Sequence, residues 1–304
     1  SKVLFIDDFP APIPRGRNEE IYRQYRRDLP AFFHDIWWPQ MLQAAKKYDA
    51  RYTAVLIQSY HDDVEPPFEQ PADEDEKGLI SYGREVIKSG GEIGIHGYNH
   101  QSLVTDPDTA GEYGYNAWGS IESMAASVKE VVRFFRQSFL NYDIVTYVPP
   151  SNVLSPEGRE ALKRGWPGLS VISSLYGEDA SGLSYVQEYE IAPDGILEMP
   201  RVTSGYMDMS FDHWAEANVM TSLGLYSHFL HPDDLLDEDR NGHMDWEQLY
   251  EKYSGLLSRV QRTYPWLRSM TAAEAAEDMG SVLTSKLDWT RDGSTLKGTI
   301  GGFA

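Results

Sequence analysis

Apolar residues gather along this chain in short runs that end in polar or charged side chains. Val3–Ile6, Tyr52–Gln58, Glu92–His96, Ile144–Val148, Leu169–Ser173, Ile196–Met199 and Leu225–His228 each have the length and composition of a strand. Segments with helical spacing lie between them. Phe32–Lys47 carries Trp37, Met41, Ala44 and Ala45 on one face, and Ile121–Phe139 repeats apolar residues up to Phe134-Phe135. Leu79–Gly90, Trp246–Tyr264 and Thr271–Met279 complete the helical set. Strands that alternate with helices predict a parallel sheet in an α/β fold, here an incomplete (β/α)7 barrel. The 304 residues are enough for one such barrel.

Three segments break the alternation. Pro10–Arg27 holds Pro10, Pro12 and Pro14, then Arg15, Arg17, Arg23, Arg26 and Arg27. It reads as a solvated helix start that could also wall a groove. Asp62–Lys77 is acidic and contains prolines, which predicts a surface insertion. Leu287–Ala304, with Asp292-Gly293 between strand-like flanks, reads as a β-hairpin. The expected organisation is a barrel over 1–285 and a hairpin tail over 286–304 that would open a following β-domain.

Candidate chemistry sits where the apolar runs stop. Asp7-Asp8 follows the first run, and His96-Gly97-Tyr98-Asn99-His100 ends the third. Barrels of this kind place active sites at the C-terminal ends of their strands. Two histidines four residues apart would share one side of a helical turn, and Gly97 permits a sharp exit from the strand. One aspartate with two histidines supplies three ligands to a divalent metal and leaves a position for water. The second aspartate is then free to act as general base.

These motifs resemble the polysaccharide deacetylase family, carbohydrate esterase family 4. The resemblance covers roughly residues 1–280 and is specific at the motifs. It implies a polysaccharide deacetylase barrel with Asp7 as base and Asp8, His96 and His100 as metal ligands. It further implies a Leu-x-His strand end whose histidine is the general acid. Leu225-Tyr226-Ser227-His228 resembles that strand end, with one residue more between the Leu and the His, and makes His228 the expected acid, with His231 as its substitute. The family's third motif has an arginine before Pro-Pro, and this arginine orients the base. Here Val148 stands in its place, ahead of Pro149-Pro150-Ser151-Asn152. Arg201, after the Ile196–Met199 run, is the candidate replacement. Tyr147, Pro149, Ser151, Asn152 and His231 are candidate substrate contacts. The texture is similar to deacetylase domains of Pel-type exopolysaccharide systems, which implies a biofilm glycan as substrate.

Two further patterns compete for attention. His231-Pro232-Asp233-Asp234 resembles a motif of a different zinc deacetylase class, the glucosaminyl-phosphatidylinositol type, although there it follows the first strand. Asp237–Asp245 matches the first nine positions of a Ca2+ loop, but position twelve is Gln248 rather than glutamate. A charged turn with Asp245 as a helix cap explains the same residues.

Composition narrows the partners. The net charge of −20 argues against nucleic acid and suits a cationic, partly deacetylated amino-sugar polymer. The 8 Trp and 19 Tyr offer surfaces that can stack on sugar rings. The absence of cysteine excludes disulfides, thiolate metal sites and thiol nucleophiles. No apolar run has transmembrane length. The sequence reads as part of a longer polypeptide with flanking domains and an upstream export signal, hence extracellular or attached to the cell envelope.

The expected activity is metal-dependent N-deacetylation of an N-acetylated polysaccharide of GlcNAc or GalNAc type, releasing acetate. Zn2+ is the expected metal, with Co2+ and Ni2+ also suited to a His2Asp set. The alternatives are a non-catalytic carbohydrate-binding or scaffold domain, and a glycoside hydrolase. The latter needs two carboxylates flanking a cleft.

Overall fold

The computed structural model describes residues 1–302. The strands are β1 (Lys2–Ile6), β2 (Tyr52–Ile57), β3 (Glu92–Gly97), β4 (Thr146–Tyr147), β5 (Val171–Ile172), β6 (Glu190–Ile191), β7 (Leu197–Glu198), β8 (Thr203–Ser204), β9 (Tyr226–Leu230), β10 (Lys286–Asp292) and β11 (Thr295–Gly301). The first nine form one curled sheet in the order β6-β7-β5-β4-β3-β2-β1-β9-β8. All neighbours are parallel except β6 and β7. The architecture is an open (β/α) barrel of the polysaccharide deacetylase type.

Side chains alternate across the strands and divide into two cores. Leu4 and Ile6 of β1, Leu56 of β2, Ile95 of β3 and Leu230 of β9 face the helices. Val3, Phe5, Val55, Val171, Leu197 and Phe229 face the barrel interior. The helix Ile121–Ser138 buries Met124, Val128, Val131 and Phe135 at helical spacing against the outer face. Its Ser120 cap accepts the Ser123 amide.

One end of the barrel is plugged. The helix Ala272–Thr284 starts beneath the strands, with Ala272 N–H donating to Thr53 Oγ1 (2.8 Å) and Ala273 N–H to Glu92 (2.9 Å). Ala272, Ala275 and Ala276 complete the interior core there. The opposite end, where the parallel strands terminate, is open.

Several elements differ from the sequence expectation. Phe32–Lys47 is not one helix: a π turn at Phe33–Trp37 separates Leu29–Phe32 from Trp38–Lys47. Pro39, which has no N–H to give and crowds the preceding turn, accounts for the widening. The Pro10–Arg27 segment does both things read from it. Pro12, Ile13 and Pro14 line the central cleft, and the arginines are exposed around a short helix, Glu19–Tyr25. The strands β10 and β11 pair only with each other and expose every residue. Residues 303 and 304 of the 286–304 tail lie outside the described residues. No described helix is long and apolar enough to cross a membrane.

Candidate active site

The ends of β1 and β3 converge at the open face. Asp7 continues the inward parity of Val3 and Phe5, and its N–H donates to Leu230 O across the β1–β9 ladder (2.9 Å). Asp8 takes a left-handed conformation (φ 54°), which turns the chain out of the strand and aims its carboxylate differently from that of Asp7. His96 ends β3 and is buried. His100 is reached through a turn rather than a helix. That turn needs Gly97: its φ is 155°, and a Cβ there would lie 2.5 Å from Asn99 O.

Three donors meet. Asp8 Oδ1 lies 3.3 Å from His96 Nε2 and 3.4 Å from His100 Nε2. Among the described residues, Asp8, His96 and His100 are the one group of three acid or histidine side chains spaced to hold a metal. Asp8 Oδ1 is buried and has no hydrogen-bond partner. The rings explain what would satisfy it. His96 Nδ1 lies 2.8 Å from Val148 O, a carbonyl that can only accept, so Nδ1 carries the proton and Nε2 offers a lone pair. Burial also holds His96 down at about 4, so the ring is neutral at working pH. His100 Nδ1 is likewise engaged, with Tyr115 Oη at 2.8 Å. Lone pairs converging in a buried place repel one another unless a cation lies between them, so the residues fit a divalent metal.

Asp7 does not join that group. Arg201 Nη1 donates to both of its oxygens, at 2.7 and 2.5 Å. Burial alone would raise the Asp7 carboxyl, but Arg201, His96 and His231 together hold it below its ordinary value. The guanidinium is itself buried, 4.0 Å from the centre of the Phe229 ring. Its Nη2 donates to Asn152 Oδ1.

His231 stands on the other side of Asp7, with Nε2 3.7 Å from Asp7 Oδ2. Its Nδ1 lies 3.3 Å from Asp234 Oδ1, and Arg240 pairs with the same carboxylate at 3.0 Å. Burial would lower the imidazole, but Asp234, Asp7 and Asp8 raise it to about 9. It is therefore an imidazolium at neutral pH.

Four expectations need correction. His228 is not at the cleft. It shares the outward face of Tyr226 and Leu230, and its ring nitrogens are taken by Thr203 Oγ1 and Gly205 O, each at 2.8 Å. Burial lowers it to about 4, which disqualifies it as a proton donor. Tyr147 also points outward, into the core of Ile95, Trp118 and Val128, so it is no substrate contact. Pro149 is buried and does not line the cleft. The Ca2+ loop is two helix caps: Asp237 accepts the amides of Asp239 and Arg240, and Asp245 accepts that of Gln248. Its carboxylates serve backbone amides and do not converge on a cation.

Ser151, Asn152 and His231 do line the cleft, together with Asp8 and His100, in a volume of about 570 Å3. Tyr60, Tyr113 and Tyr115 are on its wall, and Asp233 and Arg240 are at its rim. Tyr115 lies in a loop and had no signal in the sequence, whereas Asp234 was marked only as part of the His231-Pro232-Asp233-Asp234 pattern, which points to a different class of site.

The chain belongs to the bacterial family described as "Uncharacterised protein conserved in bacteria (DUF2194)", whose model matches residues 1–304. No curated protein matches it in sequence. A candidate polysaccharide deacetylase from Mycobacterium smegmatis superposes with a TM-score of 0.54 at 14% identity, over 96% of this chain and 93% of that one. A 4-alpha-glucanotransferase from Thermococcus litoralis gives 0.50 at 13% identity, over 91% of this chain and 40% of its own. A family 4 acetyl xylan esterase from Clostridium thermocellum, in complex with cobalt, gives 0.45 at 11%, over 90% and 88%. At these identities the likeness is one of fold.

Proposed function

We propose that this protein is a metal-dependent deacetylase that hydrolyses the acetamide groups of an N-acetylated amino-sugar polysaccharide. The observation that carries the reading is the buried, unpartnered Asp8 Oδ1 facing His96 Nε2 and His100 Nε2, with the Arg201-held Asp7 carboxylate and His231 close by. Asp8, His96 and His100 would hold a divalent cation, zinc by the donor set and cobalt or nickel also suited. Such a cation supplies polarisation of the acetamide carbonyl and acidification of water.

The protein's own groups divide the proton transfers. Asp7, kept ionised by Arg201, accepts a proton from the attacking water as the C–O bond forms. His231, protonated and oriented by Asp234, donates a proton to the departing nitrogen as the C–N bond breaks. A group near 9 is matched to an amine leaving group and still protonated at neutral pH. The products are acetate and a free amine. Tyr60, Tyr113 and Tyr115 offer stacking surfaces for sugar rings along the wall. The Pel-type resemblance makes an exopolysaccharide outside the cell the proposed substrate.

The best support for the non-catalytic alternative is the missing arginine at position 148. The Arg201–Asp7 pair supplies a cation to the same carboxylate and weighs against that alternative. The deciding experiment is acetate release from a panel of N-acetylated glycans, with and without a chelator. Chelator-sensitive release is expected, and no release from any glycan by the metal-loaded protein would overturn the reading.

A further inference from the structure

Three residues of the segment 148–152 reach three members of the site, and only one of them does so directly. Val148 O accepts from His96 Nδ1 (2.8 Å). Ser151 Oγ lies 2.5 Å from Tyr115 Oη, which in turn lies 2.8 Å from His100 Nδ1. Asn152 Oδ1 accepts from Arg201 Nη2, while Arg201 Nη1 holds Asp7. We propose that Ser151 and Asn152 are positioning residues. One turn aligns the metal-binding ring of His100 through Tyr115 and the base Asp7 through Arg201.

The backbone supports this. Ser151 (φ 49°) and Asn152 (φ 57°) are consecutive non-glycine residues in the left-handed region. That conformation is disfavoured for L-residues and persists where surrounding structure imposes it. Here it is imposed from several sides: Tyr185 N–H donates to Asn152 O (2.7 Å), Ser174 Oγ to the same oxygen (3.3 Å), and Ser102 Oγ to Pro150 O (2.9 Å). The turn sends two adjacent side chains to two different partners, one in each half of the site.

The direction of the hydroxyl relay follows from the chemistry. His100 Nε2 can offer a lone pair only if Nδ1 keeps its proton and donates to Tyr115 Oη. The Tyr115 hydroxyl then gives its own proton to Ser151 Oγ. Without Ser151, the tyrosine is free to rotate and donate to Nδ1, which selects the wrong tautomer of His100. On the other side, Asn152 occupies the second guanidinium nitrogen and stops Arg201 from swinging away from Asp7.

This inference rests on the metal-site reading above, and the test separates the two. The full chain is loaded with Co2+ or Zn2+, and affinity is measured by competition with a chromophoric chelator. Tyr115→Phe and Ser151→Gly should each weaken metal binding about 10–100-fold. They should also change the visible spectrum of the Co2+ form. Glycine adopts the position-151 backbone freely, so the metal-free melting temperature should not fall, which a merely structural serine would not allow. The double variant should bind no more weakly than Tyr115→Phe alone, because both act through one relay. Asn152→Gly should keep metal affinity, lower kcat about 10–100-fold at unchanged KM, and accelerate exchange of the Arg201 guanidinium protons seen by NMR.

Wild-type metal binding with unchanged affinity in Tyr115→Phe and Ser151→Gly would overturn the relay and leave the deacetylase reading standing. A raised KM at unchanged kcat in Asn152→Gly would make Asn152 a substrate contact and overturn its half. Tight metal binding by wild type without acetate release would overturn the deacetylase reading alone. No metal binding by wild type would overturn both.

Discussion

Arg201 and Asp7 are 194 residues apart in sequence and form a two-bond ion pair that solvent does not reach. The Phe5 and Phe229 rings flank the guanidinium. In the resembled family the corresponding arginine precedes the Pro-Pro motif, where this chain has Val148. Here the charge comes from the connection between β7 and β8, on another side of the barrel end. Val148 keeps two other duties: its side chain fills the interior core, and its carbonyl holds His96.

A buried pair punishes the loss of one partner more than the loss of both. Arg201→Met should therefore destabilise the protein by about 3–5 kcal/mol, since it leaves the Asp7 carboxylate without a counter-charge. Asp7→Asn combined with Arg201→Met should recover much of that loss. Urea denaturation of the two variants checks this, and a double variant less stable than Arg201→Met would contradict it.

Asp7 is buried against Arg201 and is not one of the converged metal donors. Asp7→Asn should keep wild-type metal content and lose deacetylation by about 10²–10⁴-fold. Metal analysis beside acetate release decides it. Near-normal turnover in this variant would assign the base elsewhere.

The barrel could be read from the sequence because its longer strands are apolar runs that stop at polar or charged residues. β1, β2 and β3 are of this kind. β6 and β8 could not, since two-residue pairings have almost no sequence pattern. The helix Pro156–Gly165 did carry a signal that the periodicity reading passed over: a Ser155 cap, Pro156 and Glu157. At the site, the local motifs name Asp8, His96 and His100 because each lies at or just beyond a strand end. The acid is harder to place because strand parity decides it. An apolar run ending at His228 looks like a strand end, but β9 continues to Leu230, and alternation along the strand puts His228 on the helix side with Tyr226 and Leu230. Tyr115 is out of reach of any pattern, since only the tertiary fold brings its loop to His100.

That parity difference predicts opposite outcomes for two histidines. His231→Gln should reduce kcat by about 10²–10⁴-fold, and it should also lose the stability that the raised imidazolium contributes at neutral pH. His228→Gln should leave kcat within about tenfold of wild type, yet lower thermal stability, because it disturbs buried bonds to Thr203 and Gly205. Kinetics paired with thermal melts separate the roles. Loss of chemistry in His228→Gln without loss of stability would reverse the assignment.

A ligand that binds the folded state alone stabilises it by mass action. Zn2+ at about 100 times its dissociation constant should add about 2.7 kcal/mol to wild type. His96→Ala and Asp8→Ala should show no such gain. Melting curves with and without metal test this directly, and an equal shift in wild type and both variants would place the ion elsewhere.

The last prediction concerns pH. Burial by itself would lower His231, but the hydrogen bond and charge of Asp234, with Asp7 and Asp8 behind it, raise the imidazole to about 9 from an ordinary 6.5. The sign follows. A raised folded value means the imidazolium contributes stability that is fully present below about 6.5 and is lost as pH rises through about 9. The same proton is the one the leaving amine needs, so kcat/KM should fall on the alkaline side as His231 deprotonates. A cation held at Asp8 repels the imidazolium and sets this limb somewhat lower than in the metal-free chain. Asp234→Asn removes the nearest carboxylate and should move the limb further down, toward the ordinary histidine range. It should also lower the maximum rate, because Asp234 fixes the ring as well as its charge. A pH–rate profile of wild type and Asp234→Asn, each loaded with the same metal, measures the displacement. A limb that stays in place would show that the titrating acid is not held by Asp234, and His231 would lose its role.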